Sequence, residues 1–190
     1  KKRGYRSRAA FKLLQLDDQF RFLKSGARVV DLGAAPGGWT QVAVERVKPE
    51  RSQGVVLGID LTPVAPIAGA TVLAKDFYDE DTPKILREQL GGLADVVLSD
   101  MAASATGDPQ IDHLRIMGLA EAAHDFASEV LKPGGTFVAK VLRGGTERAL
   151  LDRLKRDFVK VRHVKPEASR ADSAEMYVLH IRTPACRERV

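Results

Sequence analysis

The chain has 190 residues, 44% of them hydrophobic, which suffices for one well-buried domain and falls short of two ordinary ones. Its single cysteine, Cys186, excludes an internal disulfide framework and a multi-cysteine zinc site, and no apolar run approaches the ~20 residues of a membrane span. The net charge of +5 is unevenly spread: residues 1 to 28 carry nine Lys/Arg against two Asp/Glu and residues 143 to 190 carry twelve against seven, around a centre with nine against sixteen.

Basic ends around an acidic centre suit a polyanion held by the terminal regions, with the centre facing something cationic or at least not anionic. In chain order, Lys1 to Arg8 holds five basic residues, and Ser7 offers a helix N-cap. Ala9, Leu13, Leu16 and Phe20 then share one helical stripe, with Lys12 beside it. Ala27 to Asp31 reads as the first strand. In the turn after it, Gly33, Gly37 and Gly38 permit a tight bend and close backbone approach to a ligand, and Thr40 to Val47 reads as helix. Such a strand, glycine turn and helix is where an open parallel sheet binds ligands. Val55 to Ile59 is a second strand ending at Asp60, and an acid there is placed to hold a ribose through its hydroxyls.

Pro63 and Pro66 make Leu61 to Gly69 a loop before a short strand, Thr71 to Leu73. A helix begins at Thr82-Pro83 and runs to Leu90. Asp95 to Ser99, with its apolar run Val96 to Leu98, suits a strand buried on both faces, and it ends in Asp100. After a loop from 101 to 111, Asp112 can cap a helix reaching Leu131, with apolar positions at Leu114, Met117, Ala120 and Phe126. Thr136 to Val141 is the fifth strand, with Lys140 near its carboxyl end, and Thr146 to about Asp157 reads as helix. Val159 to Val164 and Met176 to Arg182 are expected to pair as antiparallel neighbours.

These elements predict an α/β fold: a mostly parallel seven-stranded sheet with a C-terminal antiparallel strand and helices on both faces. Residues 1–190 form one domain in this reading, with a basic helical segment at 1–24 and a doubly wound core at 25–190. The ends of strands one, four and five share a rim, so Asp100 and Lys140 are expected to be neighbours near the glycine turn. A structural ion pair is the competing explanation for that juxtaposition. His113, His124, His163 and His180 lie in no metal-ligand spacing, and no metal is expected.

The segments Gly4 to Lys12 (GYRSRAAFK), Asp31 to Trp39 (DLGAAPGGW), Ser99 to Ala102 (SDMA), Lys132 to Lys140 (KPGGTFVAK), Lys165 to Arg170 (KPEASR) and Glu175 to Tyr177 (EMY) closely resemble the FtsJ/RrmJ family. That family comprises S-adenosylmethionine-dependent ribose 2′-O-methyltransferases of large-subunit ribosomal RNA, and the resemblance spans essentially the whole chain. It implies a Rossmann-like class I methyltransferase whose cofactor is surrounded by Gly37, Trp39, Asp60, Asp76 and Asp100. Lys12, Asp100, Lys140 and Glu175 then form the family's tetrad.

The resemblance further implies a ribose target, expected to be a uridine of 23S-type RNA, and a monomer working in the bacterial cytoplasm without membrane attachment. A mitochondrial source is the alternative. Lys140 is the candidate base, with Asp100 and Glu175 orienting it and Lys12 perturbing it or positioning the RNA. The basic ends, particularly Lys1, Lys2, Arg3, Arg6 and Arg8 with Arg143, are expected to contact phosphates. Ala103-Ser104 departs from the family's usual Pro-Asn at this point of the loop. Two other readings are an RNA-binding assembly factor without catalysis, against which the full tetrad argues, and an NAD-dependent dehydrogenase, disfavoured by GAAPGG in place of GxGxxG.

Overall fold

Continuous apolar strands such as Val55–Asp60 and Ala94–Ser99 can be satisfied only between two layers of helix, and the architecture follows from that demand. The computed structural model describes residues 4–142, 158–170 and 173–182. In chain order the elements are α1 (Ala9–Phe20), β1 (Arg28–Leu32), α2 (Gly38–Val47), β2 (Val55–Asp60), β3 (Thr71–Ala74), α3 (Thr82–Leu90), β4 (Ala94–Ser99), α4 (Pro109–Val130), β5 (Leu131–Leu142), β6 (Phe158–Val164) and β7 (Glu175–Arg182). The expected helix Thr146 to Asp157 lies outside the described residues.

The sheet has the order β3-β2-β1-β4-β5-β7-β6. Its first five strands are parallel, and β7 inserts antiparallel between β5 and β6. The strand order reverses between β1 and β4, so the crevice beyond their carboxyl ends is the switch point at which such sheets bind ligands. The register of β7 sets the site, because Tyr177 lies opposite Lys140 and Glu175 opposite Leu142.

The two sheet faces carry separate cores. On one, Leu13 and Leu16 of α1 and Val42 and Ala43 of α2 pack on Val56, Val96, Leu98 and Val138. On the other, Leu86 and Leu90 of α3 and Met117, Ala120 and Phe126 of α4 cover Leu57, Ile59, Val97 and Phe137. Leu13 and Leu16 are within 1% of full burial, and each contributes about 1.5–3 kcal/mol by leaving water. The stripe expected on the first helix is therefore the face that docks, with Ala10 and Leu14 also buried.

Two caps differ from expectation. Ser7 does not cap α1, whose N-cap is Arg8 without a side-chain hydrogen bond. Asp108, and not Asp112, caps α4 by accepting from the amides of Gln110 and Ile111, so the helix starts four residues earlier, with Pro109 in its first turn. Asp112 instead accepts from the amide and hydroxyl of Thr106 and braces the preceding loop. Leu114, expected on the buried face, is 57% exposed, because Met117, Ala120, Ala123 and Phe126 set the buried face of the helix.

Candidate active site

Four chemistry-bearing side chains converge from four separate elements. Asp100 follows β4, Lys140 lies on β5, Glu175 begins β7 and Lys12 projects from α1. Lys140 Nζ donates to the Asp100 carbonyl at 2.9 Å and sits 3.2 Å from Asp100 Oδ1. Lys12 Nζ donates to Glu175 Oε2 at 2.7 Å. The four therefore resolve into two ion pairs.

Tyr177 joins the pairs. Its hydroxyl donates to Asp100 Oδ1 at 3.1 Å, and Lys12 Nζ stands 5.7 Å from its ring centroid. It is fully buried, and burial, then the charges of Asp100 and Glu175, pushes the phenol far above its ordinary range. The hydroxyl is thus a fixed donor at any physiological pH. Burial pushes the Glu175 carboxyl up, but the Lys12 ammonium hydrogen-bonded to it more than compensates and holds it below the usual carboxylate range. Sequence reasoning did not single out Tyr177, although its signal was available: on a strand, a residue two positions from Glu175 shares its face.

The carboxyl ends of β1, β2 and β4 carry three acids. Asp31 is fully buried; its Oδ2 accepts from the Thr40 hydroxyl at 2.6 Å, while its Oδ1 has no partner. Burial, joined by the charges of Asp100 and Asp60, raises it to about 7 despite the Thr40 hydrogen bond. Asp60 is oriented on both oxygens: Oδ2 accepts from the amide of Ala35 at 2.9 Å and Oδ1 from that of Thr62 at 2.8 Å. A carboxylate has about four lone-pair sites, so two remain for hydroxyls.

Two hollows flank this rim. One, of about 170 Å³, is lined by Asp60, Asp76, Leu61, Phe77, Tyr78 and Met101 among others. Leu61 and Tyr78 are 70% and 61% exposed and form apolar walls of that hollow. The other, of about 420 Å³, is lined by Arg8, Lys12, Arg170, Ser173 and Glu175. Met101 and Ala102, next to Asp100, line the first hollow, and Lys12 and Glu175 line the second.

Of the five residues expected around the cofactor, Asp60 and Asp76 line the smaller hollow, whereas Asp100 belongs to the ion pair with Lys140. The Trp39 indole turns away into the core beneath α1, donating to the Ala9 carbonyl at 2.8 Å and packing on Tyr177. Gly37 has a φ of 110°, a region closed to most side chains. An added Cβ there would meet Ile67 Cδ1 at 2.7 Å and Arg6 Nη1 at 3.1 Å; one at Gly33 would meet the Met101 backbone at 2.8 Å, and one at Gly38 would collide with Ser7. The glycines of this turn thus admit other parts of the protein. Arg6, expected on phosphate, spends its guanidinium on the carbonyls of Ala65 (2.6 Å), Pro66 (2.8 Å) and Pro36 (3.5 Å). Lys1, Lys2, Arg3 and Arg143 lie outside the described residues.

Residues 5–183 match the profile described as FtsJ-like methyltransferase. The chain belongs to this family. Among its FtsJ-like relatives, the ribosomal RNA large subunit methyltransferase E of Paramagnetospirillum magneticum is 63% identical over 182 residues, covering 94% of this chain and 74% of the relative. The protein of the same name from Parvibaculum lavamentivorans is 62% identical over 186 residues, covering 94% and 73%. A solved chain described as a ribosomal RNA methyltransferase from Plasmodium falciparum superposes with a TM-score of 0.82 at 28% identity, covering 94% of this chain and 98% of that one. The MycE methyltransferase, solved with Mg and S-adenosylhomocysteine, shares the fold at a TM-score of 0.60 and 14% identity, over 93% of this chain and 47% of its own. The sheet is accordingly that of a class I methyltransferase, as the sequence led us to expect.

Proposed function

We propose that this FtsJ-like protein transfers a methyl group from S-adenosylmethionine to a ribose 2′-hydroxyl of large-subunit ribosomal RNA, at a uridine, in the bacterial cytoplasm. The observation that carries the reading is the meeting of Lys12, Asp100, Lys140 and Glu175 at the rim between an acid-lined apolar hollow and a basic cleft. A structural ion pair needs neither hollow. The names of the 63% and 62% identical relatives support ribosomal RNA as the substrate.

The residues present fit the cofactor. Asp60 retains acceptor sites for ribose hydroxyls, Asp76 with Phe77, Tyr78 and Leu61 suits adenine, and the carboxylates of Asp60 and Asp76 in that lining favour a cation. S-adenosylmethionine would supply a methyl group already activated on a sulfonium sulfur. What is left to the protein is alignment of the acceptor oxygen and removal of its proton. Arg8 and Arg170 in the larger cleft suit the phosphates beside the target ribose. Asp100 holds Lys140 through its carbonyl and carboxylate, and Lys140 Nζ is placed to take the proton of the acceptor hydroxyl when the methyl group would pass to that oxygen and break its bond to the sulfonium sulfur. Tyr177 fixes Asp100, and Glu175 fixes Lys12 at the acceptor side.

Mass spectrometric mapping of ribose methylation on ribosomal RNA, from cells with and without the gene, tests the reaction. One 2′-O-methyluridine lost from the large-subunit RNA is expected; an unchanged methylation map would overturn the proposal. Arg8→Glu should weaken RNA binding and flatten its salt dependence by roughly 0.7–0.9 in slope for each phosphate it no longer neutralises.

A further inference from the structure

The segment Gly4 to Arg8 does more than carry charge to RNA. Its main chain is pinned to α2, where Gln41 Oε1 accepts from the Arg6 amide at 2.9 Å, Gln41 Nε2 donates to the Gly4 carbonyl at 3.4 Å, and the Tyr5 hydroxyl donates to Glu45. From that anchored position the Arg6 guanidinium grips two separate stretches of backbone. Pro36 belongs to the glycine turn, and Ala65 and Pro66 belong to the loop from 61 to 69.

Those two stretches hold the Asp60 carboxylate from opposite sides. Ala35, next to Pro36, donates its amide to Oδ2, and Thr62, in the same loop as Ala65, donates to Oδ1. Leu61, between Asp60 and Thr62, forms a wall of the smaller hollow. Pro63 and Pro66 bring no amide hydrogen, and among the described residues the bonds joining 63–66 to the rest of the protein are those from Arg6. Ile67 of that loop also rests on Gly37.

We infer that Arg6 is a positioning residue for the cofactor: it clamps the glycine turn to the 61–69 loop, and so fixes the Asp60 carboxylate and the Leu61 wall. The inference rests on the reading of the smaller hollow as the cofactor site. It assigns to a basic residue of the N-terminal segment a role on the donor side of the reaction. A planar fork with five donors suits three carbonyls, and an ammonium on a flexible stem does not reproduce it.

The test is titration of the full chain with S-adenosylhomocysteine and, separately, with a ribosomal RNA fragment, for wild type, Arg6→Lys and Arg6→Ala. Arg6→Lys keeps the charge and most of the stem, so it remains informative if Arg6→Ala fails to fold. Loss of one well-placed hydrogen-bonding carboxylate corresponds to about tenfold in affinity. We expect Arg6→Lys to weaken S-adenosylhomocysteine about tenfold, to raise the KM for S-adenosylmethionine to match with kcat within twofold, and to leave RNA affinity and its salt slope unchanged. Unchanged S-adenosylhomocysteine affinity in Arg6→Lys, or an equal loss of cofactor and RNA binding, would overturn the inference. Failure of the wild-type protein to bind S-adenosylhomocysteine would instead overturn the underlying reading of the hollow.

Discussion

Asp31 allows a quantitative test, because its carboxyl is wholly buried with one oxygen unpartnered and is held at about 7 against an ordinary 3.8. The folded state therefore keeps a proton that the unfolded chain releases between pH 3.8 and about 7. Stability from this group is complete below pH 3.8, declines as pH rises, and is lost once pH exceeds about 7. The gap corresponds to about 4 kcal/mol at the upper end. Asp31→Asn removes the ionisation while leaving a carbonyl oxygen to accept from Thr40. In urea unfolding from pH 4.5 to pH 8, the variant's stability relative to wild type should rise by ~2–4 kcal/mol, following the linkage slope of about 1.4 kcal/mol per pH unit. Parallel pH curves for the two proteins would refute the argument, because Asp31 would then titrate alike in the folded and unfolded chains.

Single-turnover methylation at saturating cofactor should be abolished in Lys140→Ala and nearly so in Lys140→Arg, since a guanidinium stays protonated; an active Lys140→Arg would reduce the lysine to a positioning charge. Tyr177→Phe should lower the rate while changing S-adenosylhomocysteine affinity less than threefold, and should cost about 1–2 kcal/mol of stability in denaturant titration; wild-type turnover would show that Asp100 needs no second anchor. Asp60→Ala should weaken S-adenosylhomocysteine at least tenfold by calorimetry, and unchanged binding would remove Asp60 from the cofactor site. Burial, with His124 and His163 nearby, lowers His180 to about 3, so the unfolded chain binds a proton there that the folded chain refuses. Stability should fall as pH drops from about 6.5 towards 3, and His180→Gln should lose that part of the acid sensitivity in the same unfolding series.

Strand-level architecture was legible because Val96 to Leu98 and Val55 to Ile59 carry a signal that only a sheet covered on both faces satisfies. Helix ends were less so. Ser7 and Asp112 are good capping types, but Ser7 is taken up against Gly38 and Asp112 is spent on Thr106, which are tertiary facts. Leu114 follows helical spacing, yet it faces solvent because Met117 and Phe126 decide which stripe docks. In the site, Asp100 and Lys140 could be joined from topology alone, whereas placing Lys12 beside Glu175 required knowing where α1 lies across the sheet. Arg6 shows the same limit: composition reports a charge, and only the fold reports that its guanidinium also binds three carbonyls.

The glycine turn has a bearing on protein engineering. Because its missing side chains make room for Met101, Ile67, Arg6 and Ser7, the Asp31 to Trp39 peptide is one piece of a mould whose other pieces come from three distant segments. Grafted alone onto another parallel sheet, it would leave empty notches where those segments belong. A functional transplant would have to carry residues 4–8, 61–69 and 100–102 along with it. Within this scaffold, conversely, replacing the turn with a GxGxxG sequence would put a side chain at position 37, where Ile67 and Arg6 now rest, and would disturb the N-terminal segment before it altered any choice of ligand.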